Sequence, residues 1–423
     1  MEPAIIVIFV IMVGLLILSV PIGIAIGLAV LVGVAVSDFP MVFFSQRFFN
    51  NFDSFPLMAI PFFILAGEIM QHGTLSKNLL GLCSTAVGHR RGGLAQISVL
   101  TCLFYGALCG SAAATTAAVG GIMIPAMEKE GYPKAFSTAV NSASGSLGVM
   151  IPPSIALILY GAFGSVSVSD LFIATIVPGI MVGIAFMVTN AIITSRHNYG
   201  VMSPKATWRE RLVALKKAGF ALGVPVIILG GIYGGITTPT EAGVVAVAYA
   251  FFIDGVITRT LTKERFKIIM LNTLKTLGML FMVIITANAL GAVLLFYNVQ
   301  DLLLSEMRNI TENPHVFLLI MLGMFLILGT FVEATAIILI MTPLLVPLAS
   351  SYGIHGVQFG IFMLISLCVG FLTPPVGTNL FVGCSISGVD IISLTKAIWP
   401  FILAMLVVIL MVAFIPFLSL MLI

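Results

Sequence analysis

The chain has 423 residues, 60% hydrophobic and 8% charged, with a mean hydropathy of +1.19 and a formal net charge of +3. Soluble globular chains carry about 45–50% apolar and about 25% charged residues, and disordered or nucleic-acid-binding chains need still more charge, so these classes are excluded and the solvent is mostly lipid. At about 20 apolar residues per spanning helix there is room for on the order of ten to fourteen embedded helices, and the apolar runs are too continuous for the alternating strands of a β-barrel.

Residues 4–36 read as one tilted or kinked span, about 50 Å long as a single helix, with Pro21 and Gly23 near its middle. Met1-Glu2-Pro3 lacks the basic start and cleavage site of a secretory signal, so the segment is expected to be retained, with residues 38–53 outside. Glu68, in Ala66-Gly67-Glu68-Ile69, is compatible with a membrane face and is assigned no role. The basic residues then cluster at His89-Arg90-Arg91, at Lys129 and Lys134, across 196–217 and across 259–275. By the positive-inside rule all four clusters face the cytoplasm. The stretch 91–129 therefore starts and finishes on one side, and its length suits a re-entrant hairpin turning near Tyr105-Gly106-Ala107-Leu108-Cys109-Gly110-Ser111. Residues 134–169 cross outward, 171–195 return, 220–236 go out, 241–255 come back and 270–297 go out again. The parity closes at every basic cluster. Cys83, Cys102, Cys109, Cys368 and Cys384 lie in apolar segments without metal spacing and read as small buried residues.

Pro125, Gly131, Gly148, Pro152, Pro153 and Gly161 recur as Pro347, Gly353, Gly370, Pro374, Pro375 and Gly383, all shifted by 222 positions. A gapless match of six helix-breaking residues indicates internal duplication. The loop 128–134 carries two lysines, whereas its counterpart 349–355 carries none, so the copies face opposite sides and are inverted. The second hairpin then runs over 315–349 with its tip near Leu328-Gly329-Thr330.

Two motifs carry the chemistry: Gly148-Val149-Met150-Ile151-Pro152-Pro153-Ser154 and Gly370-Phe371-Leu372-Thr373-Pro374-Pro375-Val376-Gly377-Thr378-Asn379. A Pro-Pro pair removes two N–H donors and leaves carbonyls upstream unpaired, which lipid tolerates only where the backbone is buried in protein or lines a cavity. The pairs have a plain structural reading as kinks. Their matched positions, each preceded by a small-residue hairpin, favour a functional one. Freed carbonyls and hydroxyls suit a desolvated Na⁺, and the half-helix after each break suits an anion. The expected Na⁺ ligands at tips and breaks are Gly110, Ser111, Ser144, Gly148 and Pro152 in the first copy, and Gly329, Thr335, Gly370 and Thr373 in the second. At least two Na⁺ sites follow. The expected substrate contacts are Asn141, Pro153, Ser154, Pro375, Thr378 and Asn379.

Intramembrane carboxylates are functional candidates, here Glu241 and Glu333. Glu333 occupies the position equivalent to Ser111. Glu241, in Thr237-Thr238-Pro239-Thr240-Glu241, also reads as part of a helix start with Thr240 as N-cap, and both readings stand. No phosphate loop, GxSxG, HExxH or Cys/His metal spacing occurs, so neither nucleotide hydrolysis nor another enzyme activity is expected.

The string 110–125 (GSAAATTAAVGGIMIP), the Gly131-Tyr132 loop, Ile151-Pro-Pro-Ser154, Thr238-Pro-Thr-Glu241 and Thr373-Pro-Pro-Val-Gly377 resemble the large membrane (M) subunit of the tripartite ATP-independent periplasmic (TRAP) transporters. The resemblance covers essentially the whole chain. It implies an all-α polytopic protein of the bacterial cytoplasmic (inner) membrane, built as inverted repeats with two re-entrant hairpins and two broken helices, and working as an elevator-type secondary transporter. It further implies a small four-helix membrane (Q) subunit, for which this chain has no room, and a periplasmic substrate-binding (P) protein. Carried onto this sequence, 94–163 and 315–388 form the transport domain, 1–93 and 164–314 hold scaffold helices, the basic loop and two amphipathic arms, and 389–423 form a C-terminal helix. The expected cargo is an organic acid imported with Na⁺, sialic acid first and a C4-dicarboxylate next. The competing reading is a self-sufficient cation or proton antiporter using Glu241 or Glu333.

Overall fold

The structure, a computed structural model, describes residues 3–18, 20–37, 54–72, 75–200 and 204–423, the side chains of 3, 72 and 75–77 excepted. The expected external segment 38–53 lies outside the described residues. The described chain is helical with no strand. Within it, seven helices are long and apolar enough to cross a membrane, eight if the bent pair Lys134–Met150 and Ile155–Gly164 is one span. With this composition, the chain is an integral multi-pass membrane protein.

The 222-residue shift extends well beyond the six residues that first revealed it. Ala112–Lys129 recurs as Ala334–Ser351 with both ends displaced by 222. The arm Leu75–Val87 recurs as Val299–Ile310, and Ile155–Gly164 as Thr378–Ser387 with starts one or two residues off that shift. Hairpin 1 comprises Gly93–Cys109 and Ala112–Lys129, and hairpin 2 comprises Pro314–Phe331 and Ala334–Ser351. Broken helix 1 runs through Lys134–Gly145 and Leu147–Met150 to the break, resuming at Ile155 with a bend of 42°. Broken helix 2 runs through Gly356–Gly370 and resumes at Thr378. The two Pro-Pro bonds, Pro152-Pro153 and Pro374-Pro375, are both cis.

Three expectations are corrected. Residues 4–36 are not one span but two helices, Pro3–Ile17 and Ile22–Ala35, packed antiparallel. Pro21 ends the first run, and Gly33 lets the second helix seat on Ile8 and close to the Ala4 carbonyl. The tip of hairpin 2 is Val332-Glu333, not Leu328-Gly329-Thr330, because Gly329 lies inside a helix whose backbone it lets approach another. The N-cap before Glu241 is Thr238, not Thr240. Pro239 occupies the first helical position, where a missing N–H costs nothing, and Glu241 completes a reciprocal capping box with Thr238.

The second halves of the broken helices cross between the repeats. Ile155–Gly164 packs on Ala334–Ser351 and Gly356–Gly370 of the second repeat, where the Tyr160 hydroxyl donates to the Gly356 carbonyl at 2.7 Å. Thr378–Ser387 packs on Ala112–Lys129 and Lys134–Gly145 of the first, where Ser142 Oγ donates to the Asn379 carbonyl and Asn379 Nδ2 to the Ser142 carbonyl, both at 3.1 Å. The outer helices Ile176–His197 and Ile391–Phe414 pack on each other and on this body, so Ile176–His197 groups with the hairpins in space although the sequence division places it in 164–314. Trp208–Tyr233, Pro239–Phe252, Lys263–Phe296, Ile22–Ala35 and Ala59–His72 form the other packed group.

Candidate functional site

Each hairpin tip meets the break of its own repeat. In repeat 1, Gly110 (φ 61°) turns the chain between the two arms, and a methyl group there would stand 2.6 Å from the Pro153 carbonyl oxygen. Gly106 lies on the backbone of Leu147 and Gly148, and a methyl on Gly148 would stand 2.7 Å from the Ser111 carbonyl oxygen. In repeat 2, Gly329 and Gly370 bring two backbones together, and the Val376 N–H donates to the Thr330 carbonyl at 3.1 Å. The glycines at these contacts leave no room for a side chain. The breaks differ in cover: Ile151 to Ser154 are buried, whereas Pro375 and Val376 are exposed. Part of that cover is Ile176–His197, where Gly179 lies against Ile151, and the Thr175 hydroxyl before it, which donates to the Met150 carbonyl at 3.1 Å.

Between the two tips lies a cavity of about 220 Å³. Gly110, Ser111 and Ala113 line it from tip 1, Glu333 and Thr335 from tip 2, Ile155 and Ala156 from half-helix 1, Phe371 and Thr378 from break 2, and Thr276 and Leu280 from Lys263–Phe296. Helix N-termini therefore converge on one space, where backbone N–H groups favour an anion. The tips are capped at equivalent positions by different chemistry. Ser111 Oγ accepts from the Ala114 N–H at 3.4 Å, and Glu333 accepts from the Ala336 N–H at 3.3 Å and from the Thr335 hydroxyl at 2.6 Å. One cap is neutral and the other is a carboxylate.

Of the expected Na⁺ ligands, Gly110, Ser111 and Thr335 line the cavity; Gly148, Gly329 and Gly370 form the tip–break contacts, and Pro152 is buried within break 1. Ser144 is buried beside break 1, and its hydroxyl has no hydrogen-bond partner among the described residues. Thr373 is turned to its own helix, donating to the Val369 carbonyl at 2.8 Å. Oxygen ligands of this hard, uncharged kind are what an alkali cation takes.

Of the expected substrate contacts, only Thr378 lines the cavity. Ser154 is the buried N-cap of half-helix 1, accepting from the Leu157 N–H, and Pro153 carries the carbonyl under Gly110. Pro375 lies at the exposed edge of break 2. Asn379 is engaged with Ser142. Asn141 is not brought to the cavity: its Oδ1 accepts from Ser98 at 2.7 Å and its Nδ2 donates to the Ser137 carbonyl at 2.8 Å, inside the packing of hairpin 1 on broken helix 1. A buried amide so committed serves packing. Glu241 likewise closes its own capping box on an exposed surface, away from the residues that line the cavity. Sequence reasoning missed Thr276, Leu280 and Ile64, because an isolated threonine or aliphatic residue in a long apolar helix gives no signal until the fold selects the face it occupies.

The pattern of the tripartite ATP-independent periplasmic transporter DctM component matches residues 9–418. A permease named as an isethionate TRAP transporter protein, DctMQ of Oleidesulfovibrio alaskensis, is 39% identical over 95% of this chain, which spans 63% of that protein's length. The C4-dicarboxylate large permease protein DctM of Rhodobacter capsulatus is 35% identical over 98% of this chain and 97% of its own. The sialic acid large permease protein SiaM of Vibrio cholerae is 32% identical over 95% and 94%. The crystal structure of the Alcanivorax borkumensis YdaH transporter shares the fold, with a TM-score of 0.61, 15% identity and coverage of 90% and 89%. The chain therefore belongs to the family of DctM components, the large membrane subunits of TRAP transporters.

Proposed function

From that membership we propose that the chain carries a small organic acid inward across the bacterial inner membrane, coupled to Na⁺, with a small four-helix membrane subunit and a periplasmic binding protein as partners. The observation that carries this reading is a cavity walled by both hairpin tips, both broken helices and the long helix Lys263–Phe296. An acid group there is received by helix N-termini and hydroxyls, and Na⁺ by the carbonyl and hydroxyl oxygens of the tip–break contacts. The hairpins, broken helices and outer helices, tied together by the Ser142–Asn379 pair, move as one body against the helices packed around Lys263–Phe296, and the amphipathic arms connect the two.

Relatives named for isethionate, C4-dicarboxylate and sialic acid support a small organic acid as the cargo, and we keep sialic acid first and a C4-dicarboxylate next. The antiporter reading retains one supporting observation, the Glu333 carboxylate at the cavity wall. The test is uptake in proteoliposomes that contain this chain and its small subunit, with and without binding protein and an inward Na⁺ gradient. Uptake only with both supports the proposal, and uptake indifferent to either refutes it. Proton flux without any binding protein, abolished by Glu333→Gln, would establish the antiporter instead.

A further inference from the structure

We propose that a groove at the cytoplasmic end of Ile176–His197 binds the headgroup of an anionic, hydroxyl-bearing phospholipid of the phosphatidylglycerol type. The groove, about 410 Å³, is lined by Arg90, Arg91, Gln96, Ile184, Val188 and Ser195. Three contacts build it. Gln96 Nε2 donates to the Met187 carbonyl at 2.8 Å, Asn190 Nδ2 donates to the Ala95 carbonyl at 3.2 Å, and Gly92 (φ +69°) lies where a methyl group would be 2.5 Å from Thr194 Oγ1. Residues 187, 190 and 194 share one helix face, so the start of hairpin 1 is stapled along it and the loop bearing Arg90 and Arg91 is held beside the helix end.

The chemistry of the groove has an apolar part, an anionic part and a donor part. Ile180, Ile184, Val188 and Ile192 are 42%, 55%, 53% and 49% exposed and continue one apolar stripe toward the membrane interior, a surface for acyl chains. Above them Arg90 and Arg91 are exposed in a basic cluster at the cytoplasmic boundary, where guanidinium groups pair with phosphate. Gln96 is only 3% exposed, and its Oε1 has no hydrogen-bond partner among the described residues. A buried acceptor is costly to leave bare. A glycerol headgroup supplies both the phosphate for the arginines and a hydroxyl donor for this oxygen. Phosphatidylcholine offers neither net charge nor donor, and a soluble phosphate does not use the stripe.

The test is native mass spectrometry of the delipidated full chain with its small subunit, titrated with phosphatidylglycerol, phosphatidylcholine or glycerol phosphate. Preferential retention of phosphatidylglycerol is expected, weakened roughly thirtyfold in the Arg90→Gln/Arg91→Gln variant by loss of two interfacial charges. The variant's melting temperature in detergent should match the parent's, since both side chains are exposed. Equal retention of phosphatidylcholine, comparable binding of glycerol phosphate, or undiminished retention by the variant overturns the proposal. A photo-crosslinker at Ile184 that captures the small subunit in place of lipid overturns it as well.

Discussion

Gly370→Ala is the sharpest probe of the link between hairpin 2 and its broken helix. The added methyl would coincide with the Gly329 carbonyl group and lie 2.6 Å from the Gly329 Cα. Both obstacles are main chain, so no rotamer change relieves them, and the helices must separate. Overpacking of this kind costs about 1–3 kcal/mol, which corresponds to roughly a five- to 150-fold loss of the closed tip–break geometry. The matched control is Gly323→Ala in the hairpin helix that carries Gly329, where nothing lies within 4 Å of the new methyl. There the better helix propensity of alanine is expected to leave stability unchanged or raised by up to about 1 kcal/mol. Na⁺-dependent uptake and the Na⁺ concentration for half-maximal rate would be measured for both in proteoliposomes with both partners. Gly370→Ala is expected to raise that concentration at least fivefold while inserting normally, and Gly323→Ala to match the parent. Parental Na⁺ dependence in Gly370→Ala would refute the assignment of ion handling to the tip–break contact.

Further outcomes follow from the same geometry. Ser142→Ala and Asn379→Ala should each destabilise by about 1–3 kcal/mol, since each removes one buried side-chain-to-carbonyl bond between the repeats, and the double variant should lose about the sum, read as melting temperature; parental melting temperatures in both single variants would show that the pair does not tie the repeats. Thr238→Ala should cost about 0.5–2 kcal/mol through loss of the capping box while leaving uptake per folded molecule intact; an uptake loss beyond the fall in folded protein would return Glu241 to the transport pathway. Replacing Pro152-Pro153 by alanines should weaken Na⁺ dependence with insertion preserved, checked by Na⁺ titration of uptake; an unchanged titration would make the break a structural kink. Single cysteines at Glu130 and Gly353, in a chain cleared of its own cysteines, should label from the cytoplasmic and the opposite side respectively; labelling from one side would refute the inverted arrangement.

Much of the architecture was legible because breaks in helices are written in local chemistry. Proline lacks an N–H and glycine reaches positive φ, so the Pro-Pro pairs and the Gly110 turn sit where residue type puts them. The 222-residue period paired the spans, and the placement of the few basic side chains gave their expected direction. The second tip was misplaced by a few residues because Gly329 looks like a turn glycine, whereas it is a helix glycine made necessary by the backbone of Gly370, 41 positions away. The period itself contained the correction, since Ser111 maps onto Glu333.

Which surfaces meet was decided by the tertiary structure alone. Sequence shows that Asn141 and Asn379 are polar groups in apolar helices; only packing gives Asn141 to Ser98 and Asn379 to Ser142 of the other repeat. The exchange of half-helices, the antiparallel pairing of Pro3–Ile17 with Ile22–Ala35, and the face of Lys263–Phe296 that presents Thr276 to the cavity have the same origin. In a chain that is 60% hydrophobic, lipid and protein interior select the same residues, so apolar pattern fixes what is helix and what is buried in the membrane. Close approach is chosen by shape, glycine against backbone and hydroxyl against carbonyl, between residues far apart in the chain.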